Sequence, residues 1–308
     1  MARILLPVGP KRYNDHLHYG FWSRCFQSQG HEVHLYGASA PSRGAGFRYP
    51  AYEKGRPMAD VAGEVQPDLF VSLGANVRWQ GFATVKCPKV AIEGDFHYIK
   101  SMRRYAGASL VIARAQREPE RATRMSGPSI PVVWVPFSVH VPHLGTPAGK
   151  APPRKHTVFF GGSRSPEHYP VRSAAVDNLR AAGLLSAESV VDGYLPPGRY
   201  YRALRRHMFA LACTSKWRVE AAKHLEYAAA GCVVLSDGSP GLDTLLPWYR
   251  RYEPGQAAAL AEQILAKKTR VRENLRRARE TQEHVLAYHT DEVRSREVCA
   301  MLTDRGLL

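Results

Sequence analysis

Glu226 is the odd member of an apolar run, with Leu225 before it and Tyr227, Ala228, Ala229 and Ala230 after it. Lys216, Arg218 and Lys223 gather cations close by, the grouping that a pyrophosphate leaving group requires as negative charge develops on it. A plain ion pair between Lys223 and Glu226, three positions apart on one helix face, is the simpler alternative. Gly161 and Gly162 open a turn with Arg164, where backbone N–H groups can approach a phosphate; a tight turn with a solvated arginine reads equally well. Asp95 and His97, in Glu93-Gly94-Asp95-Phe96-His97, lie just past a predicted strand, where a general base can meet a hydroxyl. Asp95 also suits the N-cap of a helix over residues 96–104. A Glu-x-Asp divalent-ion site ranks below both, because no Asp-x-Asp occurs anywhere in the chain.

These residues need a scaffold, and the hydrophobic pattern supplies one. Residues 219–230 are free of Gly and Pro and predict a helix. Gly231 stops it, and the β-branched run 232–235 predicts a buried parallel strand. Asp237-Gly238 turns the chain at the edge where open α/β sheets bind ligands. Upstream, strands are expected at residues 4–8, 31–36, 68–74, 89–92, 108–113 and 131–135, with helices at 13–29 and 60–66 between them. That alternation argues for a doubly wound parallel sheet. The loop at Gly9 lacks a full GxGxxG and carries no dinucleotide fingerprint. Residues 141–155, rich in Pro and Gly, read as a linker between a domain over 1–140 and a second over 156–285. The second domain is expected to hold strands at 156–160, 189–193 and 208–213. Its helices are expected at 167–182, 197–207, 239–249 and 256–267. A long final helix spans 270–301, with residues 286–308 a separate closing segment.

The 308 residues carry a formal charge of +16, which implies attraction to polyanions or to a phosphorylated ligand. Split at Lys150, both halves are basic: 19 Lys+Arg against 10 Asp+Glu, then 24 against 17. A detachable basic tail is therefore excluded. Arg117, Arg121 and Arg124 recur at helical spacing, as do Arg199, Arg202 and Arg206. Each set makes a positive stripe suited to backbone phosphates or simply to a solvated face. Lys11, Arg12 and Arg78 join the first set as candidate nucleic-acid contacts, and Trp79, Phe96, Tyr98 and Trp217 could offer stacking surfaces. Five scattered cysteines fit a reducing compartment, and neither CxxC nor HExxH occurs, so no structural metal is expected. No stretch is apolar enough to span a bilayer, and the N-terminus reads as a first strand, not a signal peptide. A cytoplasmic protein is the expectation.

A helix carrying Glu226, then small residues, then Ala230-Gly231-Cys232 and a strand resembles the donor-sugar motif of GT-B nucleotide-sugar glycosyltransferases, in particular the CgeB-like and group-1 types. Gly30-His31-Glu32-Val33 after a helix is similar to the same point in their first domains. The resemblance implies two Rossmann-like doubly wound domains facing a cleft, with the final helix returning to the first domain. It implies that Glu226 holds the nucleotide ribose and that the residues after Gly231 approach the sugar. Gly161, Gly162, Arg164, Lys216, Arg218 and Lys223 would attend the diphosphate, and Asp95 or His97 the acceptor. Where the family often places a second glutamate, eight positions before Glu226, this chain has Arg218. The implied co-substrate is a nucleotide-sugar such as UDP-glucose, with no further cofactor, and the implied outcome is retention of configuration. The charge points to DNA carrying hydroxymethylated pyrimidines as the acceptor, as for phage-type enzymes. A cell-envelope or spore polysaccharide transferase, and a non-catalytic nucleic-acid-binding protein on the same scaffold, are the alternatives.

Overall fold

Parallel pairing throughout two sheets organises the chain into two units, Met1–Pro136 with Asp291–Leu308, and Phe137–Thr290. The computed structural model describes all residues except 9–17, 38–52, 74–78, 95–98, 145–153, 163–165, 168, 186–189, 192–194, 215–217 and 254.

The first unit holds a six-stranded sheet in the order β2-β1-β3-β4-β5-β6. Its strands are β1 (Arg3–Pro7), β2 (Glu32–Tyr36), β3 (Leu69–Leu73), β4 (Lys89–Glu93), β5 (Leu110–Ala113) and β6 (Val132–Trp134). Most are near-continuous apolar runs, as strands covered on both faces must be. Helix α1 (His18–Ser28) lays Phe21, Trp22, Cys25 and Phe26 on one face of the sheet, and α2 (Met58–Val65) packs Met58, Val61 and Val65 with Leu5 and Phe70. The helix expected over 96–104 is replaced, in its described part, by a 3-10 turn at Met102–Tyr105, where Ser101 Oγ accepts from Arg103 N. The helix α3 (Glu118–Thr123) follows β5.

The second unit holds a five-stranded sheet, β11-β10-β9-β7-β8, from β7 (Lys155–Gly161), β8 (Val190–Val191), β9 (His207–Leu211), β10 (Val233–Ser236) and β11 (Arg250–Arg251). Helices α5 (Pro170–Ala181), α6 (Pro197–Leu204), α7 (Ala222–Ala229), α8 (Pro240–Leu245) and α9 (Ala257–Leu265) connect or flank them. The expected linker is partly structured: α4 (Val141–Leu144) packs on α6, and β7 already begins at Lys155.

The long helix expected over 270–301 is two. Helix α10 (Lys268–Tyr288) belongs to the second unit and α11 (Asp291–Asp304) to the first. The break has a local cause. Val139 N donates to His289 O at 2.9 Å and Val139 bridges Thr290, which takes the backbone out of the helix. Asp291 and Glu292 then occupy the first turn of α11, where carboxylates suit the positive helix end. Within its own unit, α11 packs Val298, Cys299 and Leu302 against α1, and Asp291 accepts from Arg24 at 3.0 Å.

Helix α7 starts at Ala222, three residues later than its composition suggests. Arg218 adopts a left-handed φ of 54° just before it, and Ala221 N donates to His224 Nδ1 at 3.1 Å. The buried ring of His224 meets Ser236 Oγ through Nε2 at 3.1 Å, and burial pushes its pKa down, which keeps it neutral. At the other end Gly231 takes φ 73°, the left-handed cap that glycine adopts cheaply. Gln282 donates to Ala229 O at 2.7 Å and Arg154 to Ala230 O at 2.8 Å, so the last carbonyls are satisfied from α10 and from the residue before β7. A Cβ on Gly231 would meet both side chains at 3.0 Å. Gly231→Ala is expected to lower unfolding stability by about 1–2 kcal/mol, the cost of a left-handed non-glycine residue, read as a reduced urea midpoint at unchanged slope.

Candidate active site

The second unit concentrates its chemistry at the carboxyl ends of β7, β9 and β10, where the helices that follow parallel strands begin and ligands of such sheets bind. Lys223, in the first turn of α7, donates its Nζ to Gly161 O at the end of β7, and Tyr227 OH donates to the same carbonyl at 3.3 Å. Glu226, one turn along, accepts from Tyr200 OH of α6 at 3.1 Å. Both charged groups are partly exposed, yet burial dominates their titration. It raises the Glu226 carboxyl, against the opposing effects of Lys223 and the Tyr200 hydrogen bond. Burial lowers Lys223 to about 8; Glu226 opposes this and Arg172 adds to it. A carboxylate and an ammonium held at the rim of a packed sheet, each costly to desolvate, are the kind of pair that functional sites retain.

Gly162 explains how close this cluster stands to the backbone. Its φ of 144° suits glycine, and a Cβ there would come within 2.5 Å of Lys223 Nζ and 3.6 Å of Arg172 Nη1. Arg172, buried on α5, donates to Cys213 O at 3.1 Å and stacks its guanidinium 3.7 Å from the centroid of Tyr169. Beyond β9, Thr214 donates both its N–H and its hydroxyl to the Asp237 carboxylate, at 2.7 and 2.6 Å, tying the ends of β9 and β10 together. The buried Glu220 carboxylate accepts from Ser239 Oγ at 3.5 Å, the residue that caps α8.

Gly161, Gly162, Lys223 and Glu226 therefore come together as one cluster. Arg218 is exposed in its left-handed turn at the same edge, ahead of α7. Gly231 does not join them: it lies buried at the far end of α7 beneath Arg154 and Gln282, and stops the helix there. Arg164 and Lys216 lie outside the described residues, as do Asp95, His97, Lys11, Arg12 and Arg78. Glu93, the last residue of β4, is buried and accepts from Tyr105 OH at 3.1 Å. In α3, Arg121 donates to Ile99 O at 2.8 Å and pairs with buried Glu118 at 3.3 Å, while Arg124 pairs with Glu120 at 2.9 Å. Arg117 precedes that helix and is exposed. Among the described residues no group of three His, Cys, Asp or Glu could hold a metal ion.

Tyr200 and Arg172 escaped sequence reasoning. Arg172 did leave a signal, since it shares a helix face with Ala175, Val176 and Leu179, and an arginine on an apolar face must have a buried partner. Tyr200 left none, because its partner lies 26 positions away.

The Lys223 shift has a signed consequence. Between pH 8 and 10.5 the unfolded chain holds the Lys223 proton that the folded chain has released, so stability rises with pH across that window. Relative to Lys223→Met, the wild-type protein is expected to gain urea resistance between pH 7 and 9.5. Parallel pH profiles for the two proteins would contradict this.

Residues 163–300 match a family model described as glycosyl transferase-like. No curated protein matches the chain. Solved structures match it nearly end to end at low identity. Sucrose-phosphate synthase from Thermosynechococcus elongatus is 12% identical, with 99% of each chain covered and a TM-score of 0.69. Anabaena HepE in complex with UDP is 12% identical over 99% of this chain and 100% of that one, at a TM-score of 0.71. An alpha-glucosyltransferase in complex with UDP and a 13-mer DNA is 13% identical over 98% and 100%, at 0.65. At such identities the likeness is one of fold. With two parallel-sheet units along its length and these end-to-end likenesses, the chain has the GT-B fold, and most of its second unit is similar to the glycosyl transferase-like family.

Proposed function

We propose that the protein moves a sugar from a nucleotide-sugar, with UDP-glucose the favoured donor, to a hydroxyl, with a hydroxymethylpyrimidine of DNA the favoured acceptor. The observation that carries the donor half is the Lys223–Glu226–Tyr200 cluster against Gly161 and Gly162, at the ligand-binding edge of a family-matched unit. Glu226 would accept the two ribose hydroxyls, with Tyr200 fixing one of its oxygens. Lys223 remains mostly protonated at neutral pH, and with Arg164, Lys216 or Arg218 it would offset the charge that develops on the departing diphosphate. The bond from the sugar anomeric carbon to the diphosphate oxygen breaks and a bond to the acceptor oxygen forms. Asp95 or His97 would take the acceptor proton.

Support for the acceptor is different in kind. It consists of the +16 charge and the fold shared with an alpha-glucosyltransferase whose structure holds UDP and DNA. No helix among the described residues is long and apolar enough to cross a membrane. A cytoplasmic site of action belongs to the proposal.

The test is incubation with UDP-glucose and duplex DNA, with or without hydroxymethylcytosine. Sugar incorporation only into the modified duplex is the expected result. Donor hydrolysis without transfer to DNA would redirect the acceptor to an envelope polysaccharide, and DNA binding with no donor turnover would remove the enzymatic reading. Glu226→Gln is expected to weaken UDP binding by roughly 10- to 100-fold, as for the loss of a charged hydrogen bond, in isothermal titration calorimetry. Undiminished UDP affinity in that variant would refute its assignment.

A further inference from the structure

Several arginines of this protein are neutralised one helical turn away: Arg124 by Glu120, Arg277 by Glu273, Arg276 by Glu280 and Arg296 by Glu292. Exposed Arg272 and Arg279 of α10 make no salt bridge among the described residues, but they stand among these carboxylates. Helix α6 and the turn after it are different. Residues 193–219 contain six Lys and Arg and not one Asp or Glu. Arg199, Arg202 and Arg206 all stand on the solvent side there, while Tyr201 and Leu204 are buried beneath them. Among the described residues none of these three makes a salt bridge. Exposed Lys155 extends the same surface, since its N–H donates to Arg206 O at 2.8 Å.

We infer that this outer face of α6 is a docking surface for the sugar-phosphate backbone of nucleic acid. The inference rests on the DNA-acceptor reading above and names where that polymer is held. Guanidinium groups suit phosphate because the planar fork donates two hydrogen bonds to one anion. Arg199 and Arg202 stand one turn apart on α6 and Arg206 follows in the turn after it, so the three present neighbouring cations to a polyanion. Such a stripe also carries a field that the paired stripes do not, because no carboxylate among the described residues pairs with it. The inner side of the same helix carries Tyr200, hydrogen-bonded to Glu226, so one short element joins the polyanion face to the donor cluster. The stripe on α3 is a poorer candidate, since Arg121 and Arg124 already hold carboxylates.

The test uses the full-length protein and a 20-base-pair duplex, with binding followed by fluorescence anisotropy over a series of KCl concentrations. In R199Q/R202Q/R206Q the slope of log K against log salt is expected to become shallower by roughly 2.7, about 0.9 for each phosphate no longer neutralised. UDP affinity and thermal unfolding should stay at the wild-type values, and R276Q, taken from a neutralised pair, should leave the slope unchanged. An unaltered slope in the folded triple variant overturns the inference. So does a variant that loses flotation with phosphatidylserine vesicles while keeping its DNA slope, since that would make the face a membrane contact. The two proposals can fail separately: a reduced slope without donor turnover removes the enzymatic reading alone, and turnover onto DNA with an unaltered slope removes this one alone.

Discussion

A lysine ammonium and a glutamate carboxylate share the rim of the second sheet, and both stand where water is scarce enough to move their titration toward the neutral forms. Such a pair persists only if the surrounding structure supplies well-placed partners, because a buried charge without one is expensive. Gly161 lends its carbonyl to Lys223 and to Tyr227, Tyr200 supports Glu226, and the missing side chain of Gly162 leaves room for the ammonium. Much of the second unit serves to hold α7 in the register that makes these contacts. His224 anchors it to Ser236 near its start, while Arg154 and Gln282 close its end.

The net charge tells less about function than its arrangement. Several arginines are matched by a carboxylate one turn away, a pairing that adds a few tenths of a kcal/mol to a helix and leaves little field outside it. Others are consumed inside. Arg172 stacks on Tyr169 and donates to Cys213 O, and Arg114 lies buried beside Phe21 and Trp22, where burial lowers its pKa to about 9. A count over the chain cannot separate these uses, whereas Arg199, Arg202 and Arg206, which make no salt bridge among the described residues, project their charge outward.

Local rules carried the fold a long way. Alternating apolar runs and helical stretches were enough to place two parallel sheets, and Gly231 was legible as a stop because a left-handed cap is a property of one residue and its neighbours. The same rules overran where a distant segment intervened. A continuous helix over 270–301 satisfies propensity, but Val139, some 150 positions upstream, takes the backbone of His289 and Thr290 and splits it. Thr290 ahead of Asp291 and Glu292 was the visible sign of a second start, weaker than the periodicity around it.

At the site, residue types alone established a carboxylate with cations nearby on an Ala-rich helix before a glycine, together with a glycine pair at a strand end. Tertiary structure decided which of them meet. It joined Lys223 to Gly161 across 62 positions and Glu226 to Tyr200 across 26, assigned Gly231 to the opposite end of the helix, and turned Arg121 inward onto Ile99 O. The reason is one of range. Helix starts, stops and faces depend on residues within a turn or two, whereas the partner of a long polar side chain is whichever group the folded sheet brings beside it.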